Sequence, residues 1–440
     1  MLVRLRAAWE AFRSNLFFVP LLFLLGAAAL AFVTVGIDVE IRRSGVVLPS
    51  LLRSTVDSAR SLLGTVAGAT ITVAGIAFSV SLLLIQLASS QFSPRVLHGF
   101  FRDSFTKRVL GLVVGTFTYC LLVLRAVRGP LGENGEAIVP HISVFVALIL
   151  GLLSILAIVA FINHSAHSME VGEIIRRISN GTQTQISRLC KPIGELGPDD
   201  WQPAPVPPRQ RDPFVVNATS DGWVQQVDVR SLMDAADDGG TIVVETRPGD
   251  FRIEGAALVT IWPRPEDEER SEREVRDAIR LGRGRTMQDD LAFGIRQIAD
   301  IALRALSPGI NDPTTAQESI VHLGGILRDL LLVDLPPTSH EDDHGRRLFR
   351  PHELTHADHV DLAFDEIRRS GSDHVAVAIA LLSMLGQLQR LVVEAGLEDR
   401  AGPLRHQAKL LLEGVRRATP LPEDLRRVRE HAGAEGFSFR

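Results

Sequence analysis

The chain has 440 residues, 46 % hydrophobic and 22 % charged, and its 47 Lys and Arg stand against 52 Asp and Glu for a formal net charge of −5. Residues 1–161 carry 13 basic and 7 acidic side chains, which leaves 34 basic and 45 acidic to the rest, so a basic apolar part precedes an acidic polar one. That acidic part has no basic stripe, which speaks against nucleic-acid binding, and two cysteines, Cys120 and Cys190, give no disulfide framework.

Met1 to Ser14 is amphipathic and basic through Arg4, Arg6 and Arg13. The apolar run that follows, 16–37, is about twenty residues, the length of a membrane span, where secretory signal cores are about 7–15. The second run, 62–91, organises the chain. Its polar residues Thr65, Thr72, Ser79 and Gln86 recur every seven positions, as do Gly68 and Gly75 between them. On a helix these form one narrow seam of hydroxyls, an amide and bare backbone, and in a membrane such a seam is met by another helix or by water. Spans are predicted at about 16–37, 62–88, 109–124 and 142–162, and four spans put both termini on one side. The basic flanks make that side cytoplasmic by the positive-inside rule. Ser93 as a cap and Pro94 in the first turn predict a short interfacial helix with Val96, Leu97, Phe100 and Phe101 on one face.

The fourth span is expected to run on as a stalk over 164–190, through Met169, Ile174, Ile175 and Ile178. Residues 191–213 contain seven prolines and read as a stiff linker. A small β module over 214–265 follows, with turns at Arg247-Pro248-Gly249-Asp250 and Glu254-Gly255. Its rhythm of Gly-x-Val and Gly-Asp-x-x-x-x-Gly-x-x-Leu resembles the barrel-sandwich domains of the biotinyl and lipoyl carriers. Those carriers are modified on a turn lysine; this segment has none, which leaves packing or assembly as its role. From 266 to 440 the pattern is helical. Asp312 caps a helix with Pro313 at its first position, 333–350 reads as an exposed loop, and the apolar run 375–385 is too short for a span and predicts a core helix. The expected fold class is mainly α: a four-helix transmembrane domain (1–163), a cytosolic stalk, a barrel-sandwich-like β module and a helical carboxy-terminal domain.

Two motifs, Gln86-Leu87-Ala88-Ser89-Ser90-Gln91-Phe92-Ser93-Pro94-Arg95 and Ala305-Leu306-Ser307-Pro308-Gly309-Ile310-Asn311-Asp312-Pro313-Thr314-Thr315-Ala316, resemble the bacterial membrane-protein family catalogued as domain of unknown function twenty-two fifty-four. The resemblance implies a bacterial inner-membrane protein with a cytosolic carboxy-terminal part and brings no established activity.

His352-Glu353-Leu354-Thr355-His356, with His359 behind it, matches the zinc-peptidase pattern, in which both histidines share one helix face. Here Pro351 precedes it and Thr355-His356-Ala357-Asp358 reads as a capping box, which puts His352 outside the helix. A solvated helix start is therefore expected, with no metal and no cofactor. Ser307, Asn311, Asp312, Thr314 and Thr315 surround a helix start suited to a small anion or to an interface, although the Asp312 charge opposes a strongly charged anion and the same turn also suits a plain corner. No nucleophile triad, phosphate loop or paired intramembrane carboxylates can be assembled, so no catalytic residue is expected. The functional expectation is a homo-oligomer, self-associated in the bilayer through its second span, which lines or gates a passage; the alternative is a non-conducting membrane-anchored scaffold or sensor.

Overall fold

The computed structural model describes residues 18–44, 49, 53–91, 104–129, 138–167, 170–193, 212–418 and 421–438. The amphipathic start, the expected interfacial helix at Pro94 and most of the proline-rich segment lie outside these residues. The chain divides into two compact units, Met1–Glu170 and Val171–Arg440. Five described helices are long and apolar enough to cross a membrane; four of them make up the first unit.

These four are α1 (Phe18–Ser44), α2 (Val56–Gln91), α3 (Ser104–Ala126) and α4 (His141–His167). Each outruns its apolar core because the flanking residues cap or continue the helix: Thr55 Oγ1 accepts from Ser58 N at 3.2 Å, and Asp38 to Arg43 extend α1 beyond Ile37. Helix α3 packs against α1, α2 and α4. It approaches α1 through Gly111 and Gly115, where an added Cβ would lie 2.8 Å from the Phe23 ring and 3.2 Å from the Phe23 carbonyl oxygen, the small-xxx-small device of membrane helices. Ala59, Leu63, Ala67, Tyr119 and Ala147 are buried between the helices, while Leu25, Phe32, Leu83 and Leu156 point outward, as a lipid-facing surface requires.

Several buried polar groups among the described residues of this unit are paired. The Tyr119 hydroxyl donates to the Ser143 carbonyl at 3.1 Å and lies 2.8 Å from Thr34 Oγ1. The Asp38 carboxylate of α1 accepts from Ile142 N (2.8 Å), Ser143 N (2.9 Å) and Ser143 Oγ (2.7 Å), so it caps α4 from another helix. Asp38→Ala is expected to lower the stability of the unit by about 1–2 kcal/mol, the upper range for a lost cap, read as a shift in the unfolding midpoint of the protein in micelles.

The second unit begins with α5 (Val171–Leu189), where the stalk was expected. It is a separate helix from α4, and its Ile174, Ile175, Ile178 and Ile186 are buried against α8 (Leu291–Ala305) and α9 (Pro313–Leu331). Gln183 Nε2 donates to Asp329 Oδ2 at 2.7 Å, and Gly172 lies against Glu318, so α5 and α9 run parallel. The helical part is completed by α10 (His356–Ser370), α11 (Val375–Glu394), α12 (Ala401–Ala418) and α13 (Pro422–Ala434). Helix α11, the fifth of the long apolar helices, packs on α9, α12 and α13 and buries Val377, Leu381, Leu382 and Leu388.

The β part is built from β1 (Lys191–Pro192), β2 (Phe214–Asn217), β3 (Gly222–Val227), β4 (Thr241–Val244), β5 (Phe251–Arg252), β6 (Ala257–Trp262), β7 (Ile279–Gly282), β8 (Val333–Asp334), β9 (Ser339–Glu341) and β10 (Arg347–Phe349). Helices α6 (Val229–Met233) and α7 (Glu268–Ala278) lie among them. Five strands form a sheet in the order β2-β6-β4-β10-β9, three form β5-β3-β7, and β1 pairs with β8. One apolar cluster joins the two larger sheets to the helices between them: Val216, Val224, Ile242, Ile261, Leu348 and Val275. The stretch 333–350, expected as an exposed loop, therefore differs: it supplies three strands, and Leu348 and Phe349 are buried. Strand β10 pairs parallel with β4, a long-range contact that three-residue strands cannot announce by alternation.

Candidate functional site

The seam lies on the outside of the first unit. Thr65, Gly68, Thr72, Gly75, Ser79 and Gln86 are all exposed, and a Cβ added at Gly68 or Gly75 would meet nothing within 4 Å. The opposite face of α2, with Ala59, Leu63, Ala67, Thr70 and Ala77, is the one buried against the neighbouring helices. Thr72 Oγ1 donates to the Gly68 carbonyl at 2.8 Å and Ser79 Oγ to the Gly75 carbonyl at 3.0 Å. These hydroxyls are satisfied within the helix, so the seam is a smooth, weakly polar strip. Thr65 also borders an apolar cavity of about 180 Å³ with Val113, Gly151 and Ser154.

The corner at 307–315 is closed on itself. Ser307 Oγ donates to the Arg304 carbonyl at 2.6 Å, and Asn311 turns the chain at φ +50°. The Asp312 carboxylate accepts from Thr314 N and Thr315 N, both at 3.1 Å, and from Thr315 Oγ1 at 2.6 Å. The hydroxyl of Thr315 and these amides hold Asp312 below the usual carboxylate range. Asp312, Thr314 and Thr315 thus come together as a cap, and the carboxylate occupies the amides that an anion would use. Ser307 and Asn311 shape the turn, and Ile310 stands exposed at its tip.

The His-Glu-Leu-Thr-His segment is split by a helix start. His352 lies in a turn, and α10 begins only at His356, with the reciprocal Thr355–Asp358 capping box formed. His356 Nε2 lies 3.1 Å from the Val333 carbonyl and His359 Nδ1 2.7 Å from the Thr355 carbonyl. Among the described residues no group of three or more His, Cys, Asp or Glu is placed to hold a metal ion.

Both histidines line a feature that sequence reasoning missed, a cleft of about 810 Å³ in the second unit. One wall is the β3–α6 junction with Asp228 and Arg230, together with the Arg247-Pro248 turn; the other is the end of α5, the starts of α8 and α10, and the strand-rich stretch after α9. Local patterning could not reveal it, because its walls come from segments more than a hundred positions apart. The Arg247-Pro248-Gly249-Asp250 turn was visible, but not what it faces: a Cβ on Gly249, at φ +91°, would collide with the Asp290 carboxylate.

Burial lowers the affinity of His356 and His359 for protons below the ordinary value of 6.5 and raises Asp289 and Asp290 above theirs of 3.8. The signs differ in consequence. Below pH 6.5 the unfolded chain takes up protons that the folded histidines refuse, so their contribution to stability falls as pH drops through 6.5 toward their folded values. The two aspartates act oppositely: folded, they protonate first, and their contribution falls as pH rises above 3.8 through their folded values. In His359→Gln the loss of thermal stability between pH 7.5 and 5.5 is expected to be smaller than in the unaltered chain, measured by unfolding of full-length protein in micelles.

The family described as a predicted membrane protein (DUF2254) matches residues 13–387. An uncharacterized protein of Mycobacterium bovis, Mb1321c, is 33 % identical over 361 residues, which covers 80 % of this chain and 68 % of that relative. The same figures hold for the uncharacterized protein Rv1290c of Mycobacterium tuberculosis. No solved structure matches the chain. With its apolar helices, its small sheets and a match that spans most of its length, the chain belongs to the DUF2254 family of predicted membrane proteins.

Proposed function

We propose that the protein is a four-span protein of the bacterial inner membrane, with both termini cytoplasmic, that assembles with copies of itself along the α2 seam around a passage for ions or small solutes. The carboxy-terminal unit is its cytosolic regulatory part, and the two-sheet β part is read as a barrel-sandwich-like assembly module within it. The observation that carries this reading is the outward exposure of all six seam residues. The chain leaves its smallest and most polar helix face uncovered, while lipid gains nothing from contact with it. A seven-residue repeat drifts only about 20° per heptad on a straight helix, so a second α2 can follow it with slight supercoiling. The hydroxyls of Thr72 and Ser79, already bonded to backbone, belong to a weakly polar surface without ionisable groups, compatible with passage of solutes that need no charge relay.

The test is Gly75→Val together with planar-bilayer recording of the purified protein. A Val at a packing seam separates the oligomer into monomers; at a passage-facing position it leaves the oligomer whole and changes conductance. Cysteines placed at Gly68 and Gly75 that fail to cross-link between copies in native membranes would sink self-association along the seam. An intact oligomer that stays silent under voltage and tension favours the second reading, a scaffold in which the seam only packs.

A further inference from the structure

We propose that the cleft of the carboxy-terminal unit binds a small phosphate ester that carries hydroxyls on a partly apolar body, the chemistry of a nucleoside monophosphate or a sugar phosphate. The site is independent of how the α2 helices assemble. At about 810 Å³ the cleft lies within the range of small-molecule sites, and its walls mix cations with apolar side chains such as Val229, Leu291, Pro336 and Leu354.

Charge argues for an anion. The carboxylates in the wall are already engaged: Asp289 with Arg188, Asp290 with Arg285, Asp334 with Arg400 and Glu353 with Arg350. The fifth, Asp228, caps α6. The wall holds five Lys and Arg and five Asp and Glu; two of the pairing partners, Arg285 and Arg400, stand outside it, which tips the local balance toward cations. Arg230 makes no ion pair among the described residues, and Arg247 shares Asp250 at 3.5 Å with Arg252 at 3.2 Å. The starts of α8 and α10 lie in the same wall, but Asp290 and the Thr355–Asp358 capping box occupy their first amides, so the anion is left to the arginines.

A second, independent feature points to hydroxyls. His359 is only 4 % exposed yet reaches the cleft. Its Nδ1–H donates to the Thr355 carbonyl, which fixes Nε2 as the acceptor nitrogen, and Nε2 has no partner among the described residues. An acceptor atom on a largely buried ring at the cleft wall, beside unpaired Arg230, fits a ligand that presents both an anion and a hydroxyl donor.

Isothermal titration of full-length protein in micelles with adenosine monophosphate and with glucose 6-phosphate tests this. At least one of the two is expected to bind at one site per chain, more tightly than inorganic phosphate or adenosine. Arg230→Gln and Arg247→Gln are each expected to weaken that binding about tenfold, as is His359→Phe, whereas Arg405→Gln on α12, outside the cleft, leaves it unchanged. Because Arg247 also steadies its turn, the exposed Arg230 provides the variant whose effect cannot be laid to misfolding. Absence of binding by both probes overturns the proposal, and so does binding that Arg230→Gln and His359→Phe leave intact.

Discussion

Gly294→Val is expected to destabilise the carboxy-terminal unit by about 1–3 kcal/mol, the usual range for forcing extra carbon into a packed contact. Gly294 lies on α8 where α5 crosses it, and an added Cβ would collide with Thr182 Oγ1 and lie 3.1 Å from Thr182 Cβ. Thr182 is 1 % exposed and its hydroxyl donates to the Ile178 carbonyl at 2.8 Å, so it has little room to turn aside. The steric origin is separable from any backbone effect by a double-mutant cycle. Thr182→Ala should recover much of the loss in a Gly294→Ala background, and the recovery is the coupling between two residues in contact. Additive losses in thermal unfolding of the full chain would place the cause elsewhere. The contact matters beyond stability, since α5 is the first element of the second unit and joins it to α4 through three residues.

Gly249→Ala is expected to cost about 1–3 kcal/mol through backbone strain alone, because φ +91° is a conformation that side chains rarely adopt. A second effect comes from position. The new Cβ would press on Asp290 and approach Arg285 Nη2 at 2.7 Å. Arg285 also lies over the rings of Trp223 and Phe293, at 5.8 Å and 5.0 Å from their centroids, so one guanidinium ties the β part to the start of α8. Displacing it is expected to loosen the β part from the helices, seen as faster proteolysis between the two and a lower unfolding midpoint. A variant that keeps both the midpoint and the proteolytic pattern of the unaltered chain would remove this turn from the list of structural joints.

What the sequence announces and what it hides follow from range. The apolar cores of α1 to α4 are readable because a helix in lipid satisfies its own backbone, and runs of about twenty apolar residues have few other uses in a chain. The caps at Asp312 and Thr355 are readable because cap and capped amide are two or three positions apart. The Asp38 cap on α4 is not, since its donors lie more than a hundred positions on. The same holds for the burial of α5: Ile174, Ile175 and Ile178 show an apolar face but not whether α8 and α9 or solvent meets it. The seam was legible as a period, while its outward direction was not, because Ala59, Ala67 and Ala77 on the other face are small enough to have served equally as an outer strip. The cleft had no local signature, being made by juxtaposition alone.

The pairing of β10 with β4 bears on how the protein is made. Thr241 aligns with Arg347, 106 positions later, and α7, α8 and α9 are synthesised in between. Until β10 emerges from the ribosome, β4 presents an open parallel edge, a template for wrong pairing, and its loop closure must wait on distant chain. The β part and the helices consequently mature together. A fragment that stops at residue 282 is expected to be insoluble, whereas one running from Val171 through the last helix keeps every strand with its neighbour.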